Sequence, residues 1–455
     1  MKRFALVLAL VLALGLVPTL VAGCGGGSST SNSTPVASPT NTSPVTITVW
    51  HPWTVKSEKQ GFATAVAGFE EKYPWIHLNI VTFPNSDEFD QTLIKNINAG
   101  TPPDVAISFG PDYVGKYAAS NLWQDLNPFM KADGFDMGVF APGALTYTSF
   151  QGKQVALPVL TDAYGLYYNK TMFEKAGISE PPKTTSELMA DAKKLTVRNA
   201  DGSIKIAGFV PLNAFNEFGP SDLAHAWGAK WFDADNKAIT SQDPGWTATF
   251  QWQKQLVDWY GKNAITKFYA EWVDKEWTPD QVFETGHVAM IWDGEWRTKM
   301  IENDKSTVDY DTAPFPAADD HPDMYGSGRV GGTICGIPRG AKNPEAAWQL
   351  VKFMSTDTTF LVTLANLLGN VPTTTASQDS PDLKMPPHFQ TFIDVWNNAN
   401  SLFQPPLQPT GATYADFLNN YNDKWVQGRG GDLHQGLVQV DQDIDNELAM
   451  GQGAP

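Results

Sequence analysis

Two carboxylates stand two residues apart in Trp292-Asp293-Gly294-Glu295-Trp296. In an extended strand, residues i and i+2 share a face and lie about 7 Å apart, near the separation that flanks a scissile bond in glycoside hydrolysis. Hydrolysis also requires one carboxyl of raised pKa, set across the bond from its partner. Neighbours on one strand approach a sugar from the same side. The same residues suit a simpler chemistry, in which carboxylates accept hydroxyl hydrogen bonds while the flanking indoles cover the apolar face of a ring. The chain has 16 Trp, 13 Tyr and 25 Phe, more than a core readily explains where the rings fall in turn-like segments. Trp53 in His51-Pro52-Trp53-Thr54 and Trp227 before Gly228 are two such cases.

Other chemistries find less support. No Gly-x-Ser-x-Gly elbow is present, and Cys335 lies in apolar, strand-like Thr333 to Ile337, where a buried inert thiol is expected. The seven His show no metal-ligand spacing, so neither a metal nor a cofactor is expected. The net charge of −17, with no basic stripe, argues against nucleic acid or anionic lipid as a partner. Glu271, Asp274 and Glu276 read as a solvated face.

These residues need a body to position them and a place to work. Lys2 and Arg3 precede an apolar run from Phe4 to Leu14 that continues to Ala22, the profile of a secretory signal over residues 1–23. It ends in Val21-Ala22-Gly23-Cys24, which resembles the lipobox of bacterial lipoproteins and implies acylation of Cys24 after cleavage. Residues 24–44 are nearly all Gly, Ser, Thr, Asn and Pro, a disordered tether. Two or more acyl chains would hold the protein on the cell membrane, extracytoplasmic and lipid-anchored. With Cys24 acylated, Cys335 has no disulfide partner, and packing must supply stability.

Roughly 410 residues follow, more than one core serves, so two domains are the default. The spacing predicts a strand over Val45 to Trp50, a helix over Val55 to Lys72 and a strand over Ile76 to Phe83. Ser86 offers an N-cap for a helix striped by Phe89, Leu93, Ile94 and Ile97, and Gly100 stops it before a third strand, Asp104 to Phe109. This β-α-β-α-β order predicts a parallel sheet with ligands at the strands' carboxyl ends, where Trp53 and Gly110-Pro111-Asp112-Tyr113 follow. A capped helix over Thr185 to Leu195 and a strand over Val288 to Trp292 are also predicted.

The chain resembles the extracellular solute-binding proteins of carbohydrate ABC importers, the maltose-binding-protein-like family. The matching segments are Ile47 to Thr54, Ala99 to Phe109, Leu157 to Gly177 with Tyr167-Tyr168-Asn169-Lys170, Pro181 to Leu195, Phe283 to Trp296 and Gly331 to Met354, in family order. The resemblance implies an α/β, two-lobed, type II periplasmic-binding-protein-like fold, each lobe a mostly parallel sheet flanked by helices, with the ligand cleft between lobes. The N-terminal lobe would hold 45–155 and return over about 310–361; the C-terminal lobe would hold about 160–305 and about 370–455.

It also implies cleft positions: Trp53, Thr54, Asp112 and Tyr113 from the first lobe, and Asp162 and Tyr164 at a crossing. Trp227, Asp293, Glu295, Trp296, Arg329, Gly331 and Gly332 come from the second lobe and the later crossing. The implied function is capture of a sugar or oligosaccharide by a monomer and its delivery to the permease subunits of an ABC importer, without catalysis. Two alternatives are a secreted glycoside hydrolase using Asp293 and Glu295, and the same fold carrying a polyamine, iron or a phosphodiester.

Overall fold

A computed structural model describes residues 43–83, 88–212, 219–401 and 405–452. The signal, Cys24, the tether before Ser43 and the Ser86 cap lie outside the described residues. The predicted opening is found as β1 (Val45–His51), α1 (Lys56–Lys72), β2 (Ile76–Thr82), α2 (Phe89–Asn98) and β3 (Val105–Ser108). Helix α1 buries the stripe Phe62, Ala65, Val66 and Phe69, and α2 buries Phe89, Leu93 and Ile97. All four residues of β3 are buried, as expected of a strand covered on both faces. β1 lies between β2 and β3 and runs parallel to both, so residues after His51 and Ser108 leave the sheet at one edge.

A 13-residue strand, β4 (Leu157–Asn169), joins two sets of partners. Its first half pairs antiparallel with β7 (Val330–Gly336) and β8 (Val371–Pro372). Its second half, from Tyr164 on, pairs antiparallel with β5 (Met290–Gly294) and β6 (Tyr310–Ala313). β7 in turn pairs with β3, giving the order β6-β4-β7-β3-β1-β2. The parallel arrangement therefore holds for β1, β2 and β3, while every strand paired with β4 runs against it, because both crossing strands return through the same sheet.

Helix α3 (Thr185–Leu195) begins with a reciprocal cap, in which Glu187 N–H donates to Thr184 Oγ1 and Thr184 N–H donates to Glu187 Oε2. Helices α4 (Pro244–Tyr260) and α5 (Lys262–Trp272) follow, separated by Gly261. Helix α6 (Trp296–Asn303) starts directly after β5, and α7 (Pro344–Thr356) and α8 (Thr358–Leu368) follow β7. Helix α8 packs on α1, and Ala141 N–H donates to Thr373 O, so the chain stays with the first set of strands through β8 to Thr374.

Helices α9 (Ala415–Val426) and α10 (Leu433–Gln452) close a second core with Trp231, Trp246, Phe250 and Tyr414. Asp441 pins α10 to the chain before α4 by accepting from the N–H and hydroxyl groups of Thr240 and Ser241. Cys335 is fully buried in β7, and burial pushes its thiol up to about 12, which keeps it an inert thiol. Among the described residues no helix is long and apolar enough to cross a membrane.

Candidate solute-binding site

The first set of candidates lies at the carboxyl ends of β1 and β3. Trp53 is 3% exposed, packed against His51, Phe62 and Phe109 at ring separations of 5.5, 5.0 and 5.8 Å. It is core. The ring that reaches solvent there is Phe109, 43% exposed, which directly follows β3 and not, as expected, ends it. Thr54 is exposed; Asp112 and Tyr113 are partly buried.

Asp112 is fixed through its carbonyl, which accepts from Ala412 N–H at 3.0 Å, and Tyr113 stacks on Tyr117 at 5.9 Å. Beneath this turn sits Asp90, whose carboxylate accepts from Tyr117 and, at 2.7 Å, from Ser108; Gly110 N–H donates to Ser108 Oγ at 2.8 Å. A Cβ at Gly110 would lie 2.6 Å from Asp90 Oδ2, so only glycine lets the turn close over the acid. Burial pushes Asp90 up to about 6, against the opposing pull of those two hydroxyls.

The second set gathers where β4 changes partners. Tyr164 is 5% exposed and meets Trp292 and Trp296 edge-on at 5.8 and 5.4 Å, with the Arg329 guanidinium 5.1 Å from its ring centre. Arg329 Nη1 lies 3.3 Å from Asp222 Oδ1. Trp296 is partly exposed, and a Cβ at Gly294 would fall 2.2 to 2.5 Å from its ring, so the indole lies flat over bare backbone. Its buried Nε1 has no hydrogen-bond partner among the described residues.

Beside these rings is a narrow crevice lined by Asp222, His225, Trp292, Phe315, Met324 and Ser327 among others. Ser327 donates to Met324 O, so its oxygen accepts from His225 Nε2–H at 2.8 Å. Burial lowers His225 to about 4, which keeps it neutral.

Asn370, just past α8, ties the crossing together. Its Nδ2 donates to Glu295 Oε1 at 2.9 Å and to Asp162 Oδ1 at 3.2 Å, while Ala163 N–H donates to Glu295 Oε2 at 2.7 Å. Glu295 is fully buried, and burial first, then the nearby Asp162 charge, raise its pKa well above the carboxylate range. Asp162 is partly exposed.

Three expectations are corrected. Asp293 is fully buried as a counter-ion: Oδ2 accepts from Arg297 Nε at 2.7 Å and Oδ1 from its neighbour Gly294 N–H. Glu276, read as solvated, is buried against Arg297 Nη2 at 2.7 Å, with Glu284 on Nη1 at 3.5 Å; Glu271 and Asp274 are exposed. The predicted carboxylate pair is therefore split between an internal ion cluster and a main-chain clamp, and neither acid faces solvent. Trp227 is 8% exposed and packs on Trp252 at 5.7 Å, held in a short turn ended by Gly228.

Gly331 and Gly332 pair with Asp162 and Thr161. A Cβ at Gly332 would fall 2.2 Å from Leu160 O and 2.6 Å from Tyr147 Oη, so this glycine serves strand approach. The structure thus brings Asp162, Tyr164, Glu295, Trp296 and Arg329 together and adds Asp222, His225 and Asn370, which no local pattern had marked. No cluster of acidic, His or Cys side chains among the described residues could hold a metal ion.

Against this geometry, the family model for bacterial extracellular solute-binding proteins matches residues 53–359. The chain belongs to that family. It is a family of binders, not catalysts, and its two-lobed type II fold is the one found here. A maltotriose-binding protein of Pyrococcus abyssi is 25% identical over 79% of this chain and 73% of its own length. An uncharacterized ABC transporter extracellular-binding protein of Pyrococcus horikoshii is 26% identical over 86% of each. Among solved structures, the protein CpMnBP1 with mannotriose bound superposes at TM-score 0.77 and 23% identity, covering 88% of this chain and all of that one. The maltose/maltodextrin-binding domain of Bdellovibrio bacteriovorus bound to maltotriose gives 0.71 at 22%, covering 89% and 100%.

Proposed function

We propose that this protein captures a neutral oligosaccharide of two or three rings outside the cell and hands it to the membrane subunits of an ABC importer. The observation that carries the reading is the partly exposed Trp296, backed by the buried Tyr164 and Trp292, beside Arg329, Asp222 and Asp162. Flat apolar faces next to charged donors and acceptors match the alternating surfaces of a pyranose. Relatives named for maltotriose and solved with mannotriose or mannobiose support that size class.

Phe109, Thr54, Asp112 and Tyr113 form the facing wall in this reading, and β4, β7 and the segment through Thr374 act as the crossings between lobes. Closure over the ligand gives the importer a shape to recognise, provided the sugar binds the closed form more tightly. Cys24, acylated after removal of residues 1–23, would tether the protein to the membrane.

The test is a thermal-shift and calorimetric screen of the mature protein against glucose- and mannose-based oligosaccharides, polyamines and ferric chelates. Binding raises the unfolding temperature by mass action. A response confined to a polyamine or to iron, with none from any oligosaccharide, refutes the carbohydrate assignment.

A further inference from the structure

A second, open recess shares no residue with the cleft set and is lined by Asn199, Ser203, Lys205, Lys267, Trp272 and His287 among others. The hairpin of Val197–Arg198 and Ile204–Ile206 forms one side and α5 the other. At its base the His287 ring lies 4.2 Å from Trp272, and the Lys275 ammonium stands 4.0 Å from the same indole.

The charged side chains lining the recess are two lysines and one carboxylate, in a chain whose net charge is −17. The chain carries 49 acidic and 32 basic residues, and Lys72, Lys170, Lys183, Lys237, Lys254, Lys299 and Lys352 each pair with a carboxylate. Lys205, Lys267 and Lys275, like most lysines of the described residues, make no ion pair. Glu271 lines the recess, and Asp201, near Lys267, is occupied by the N–H and hydroxyl of Ser203 at 3.0 and 2.6 Å.

Two neutral groups add hydrogen-bonding capacity. Asn199 spends one amide hydrogen on Ser203 Oγ and keeps the other. The Thr285 hydroxyl donates to Gln281 O at 2.9 Å, so its oxygen accepts from His287 Nδ1–H at 3.0 Å and leaves Nε2 uncommitted.

We propose that this recess binds a phosphate-type dianion, with Lys205 and Lys267 as its principal charge partners and Lys275, Asn199 and His287 completing the shell. Ammonium charges from the hairpin (Lys205) and from α5 and the turn after it (Lys267, Lys275) suit a polyatomic anion with oxygens pointing several ways. The phosphate belongs to a free anion or ester, or to a lipid headgroup. An anion would also stabilise the imidazolium, so binding should raise the pKa of His287, which burial, Lys275 and Lys205 depress against the opposing pull of Glu271. Lys205 is remote in sequence from Lys267 and Lys275, so no basic stripe is legible there.

The experiment follows the ring resonances of the histidines in the mature chain during titration with inorganic phosphate, against chloride at matched ionic strength. A parallel arm measures co-sedimentation of the Cys24→Ala protein with vesicles of anionic or of neutral phospholipid. The expected result is a saturable shift of the His287 signal, identified by its loss in His287→Gln. The double variant Lys205→Ala/Lys267→Ala should weaken the response at least about tenfold while oligosaccharide affinity, the control for folding, stays unchanged. Saturable phosphate binding assigns a free anion; binding to anionic vesicles alone, lost in the double variant, assigns a headgroup. A phosphate response equal to chloride's with no vesicle binding overturns the proposal, as does a response that persists in the double variant.

Discussion

The buried cluster around Arg297 makes a prediction whose size can be worked from its geometry. One guanidinium meets Asp293, Glu276 and Glu284 at 2.7, 2.7 and 3.5 Å, and all four side chains are buried. One positive charge cannot neutralise three acids. Burial, partly offset by Arg297, pushes Glu276 and Glu284 up from the ordinary 4.5 to about 7.

The folded protein thus keeps protons at a pH where the unfolded chain has released them. Stability from this cluster is fully present below about pH 4.5 and is lost as pH rises to about 7. For Glu276 that span corresponds to about 3 kcal/mol, at ~1.4 kcal/mol per pH unit, as an upper figure. Arg297→Met removes the cation of this cluster while roughly preserving volume. At pH 8 it should cost about 3–5 kcal/mol, the loss seen when one partner of a buried pair is deleted.

At pH 5 the acids take up protons and most of that loss should disappear. Adding Glu276→Gln and Glu284→Gln to Arg297→Met should restore much of the stability at pH 8. Urea unfolding at pH 5, 6.5 and 8, read by Trp fluorescence, measures all of this. A deficit in Arg297→Met that is the same at pH 5 and pH 8 would refute the reasoning.

Three further outcomes are expected. Trp296→Ala should weaken oligosaccharide binding by about 2 kcal/mol, close to thirtyfold, whereas Asp293→Asn should lower stability and leave affinity within about twofold by calorimetry. Asn370→Asp sets a third carboxylate beside Asp162 and Glu295, so its affinity should fall more at pH 8 than at pH 5; an equal loss at both would remove Asn370 from the site's electrostatics. Cys24→Ala should release the exported protein from membranes, and retention in the pellet at wild-type levels would count against the lipobox.

Much of the first lobe was legible because its signals are local. The stripe Phe62, Ala65, Val66 and Phe69 needs only helical spacing, and the Thr184/Glu187 cap only two residues three apart. The strand expected over Val288 to Trp292 formed two residues later, as Met290–Gly294, the stretch that pairs with β4, while Val288 and Ala289 are engaged by Ala207. The site was harder. Trp53 and Phe109 both follow strand ends, and nothing in their neighbours says which ring turns inward; α1 decides it by offering Phe62 to Trp53.

By itself the sequence determined the family, the β-α-β-α-β opening, the inert Cys335 and the aromatic character of the segments around Tyr164 and Trp296, all of which rest on short-range pattern or residue type. Only the tertiary structure decided what the acids do. Asp293 and Glu295 share a strand face on paper, but their roles depend on Glu276, Glu284 and Asn370, which reach them from 17, 9 and 75 residues away or more. A carboxylate's charge and availability are set by the dielectric and the donors around it, and those are contributed by segments that meet only in the folded chain.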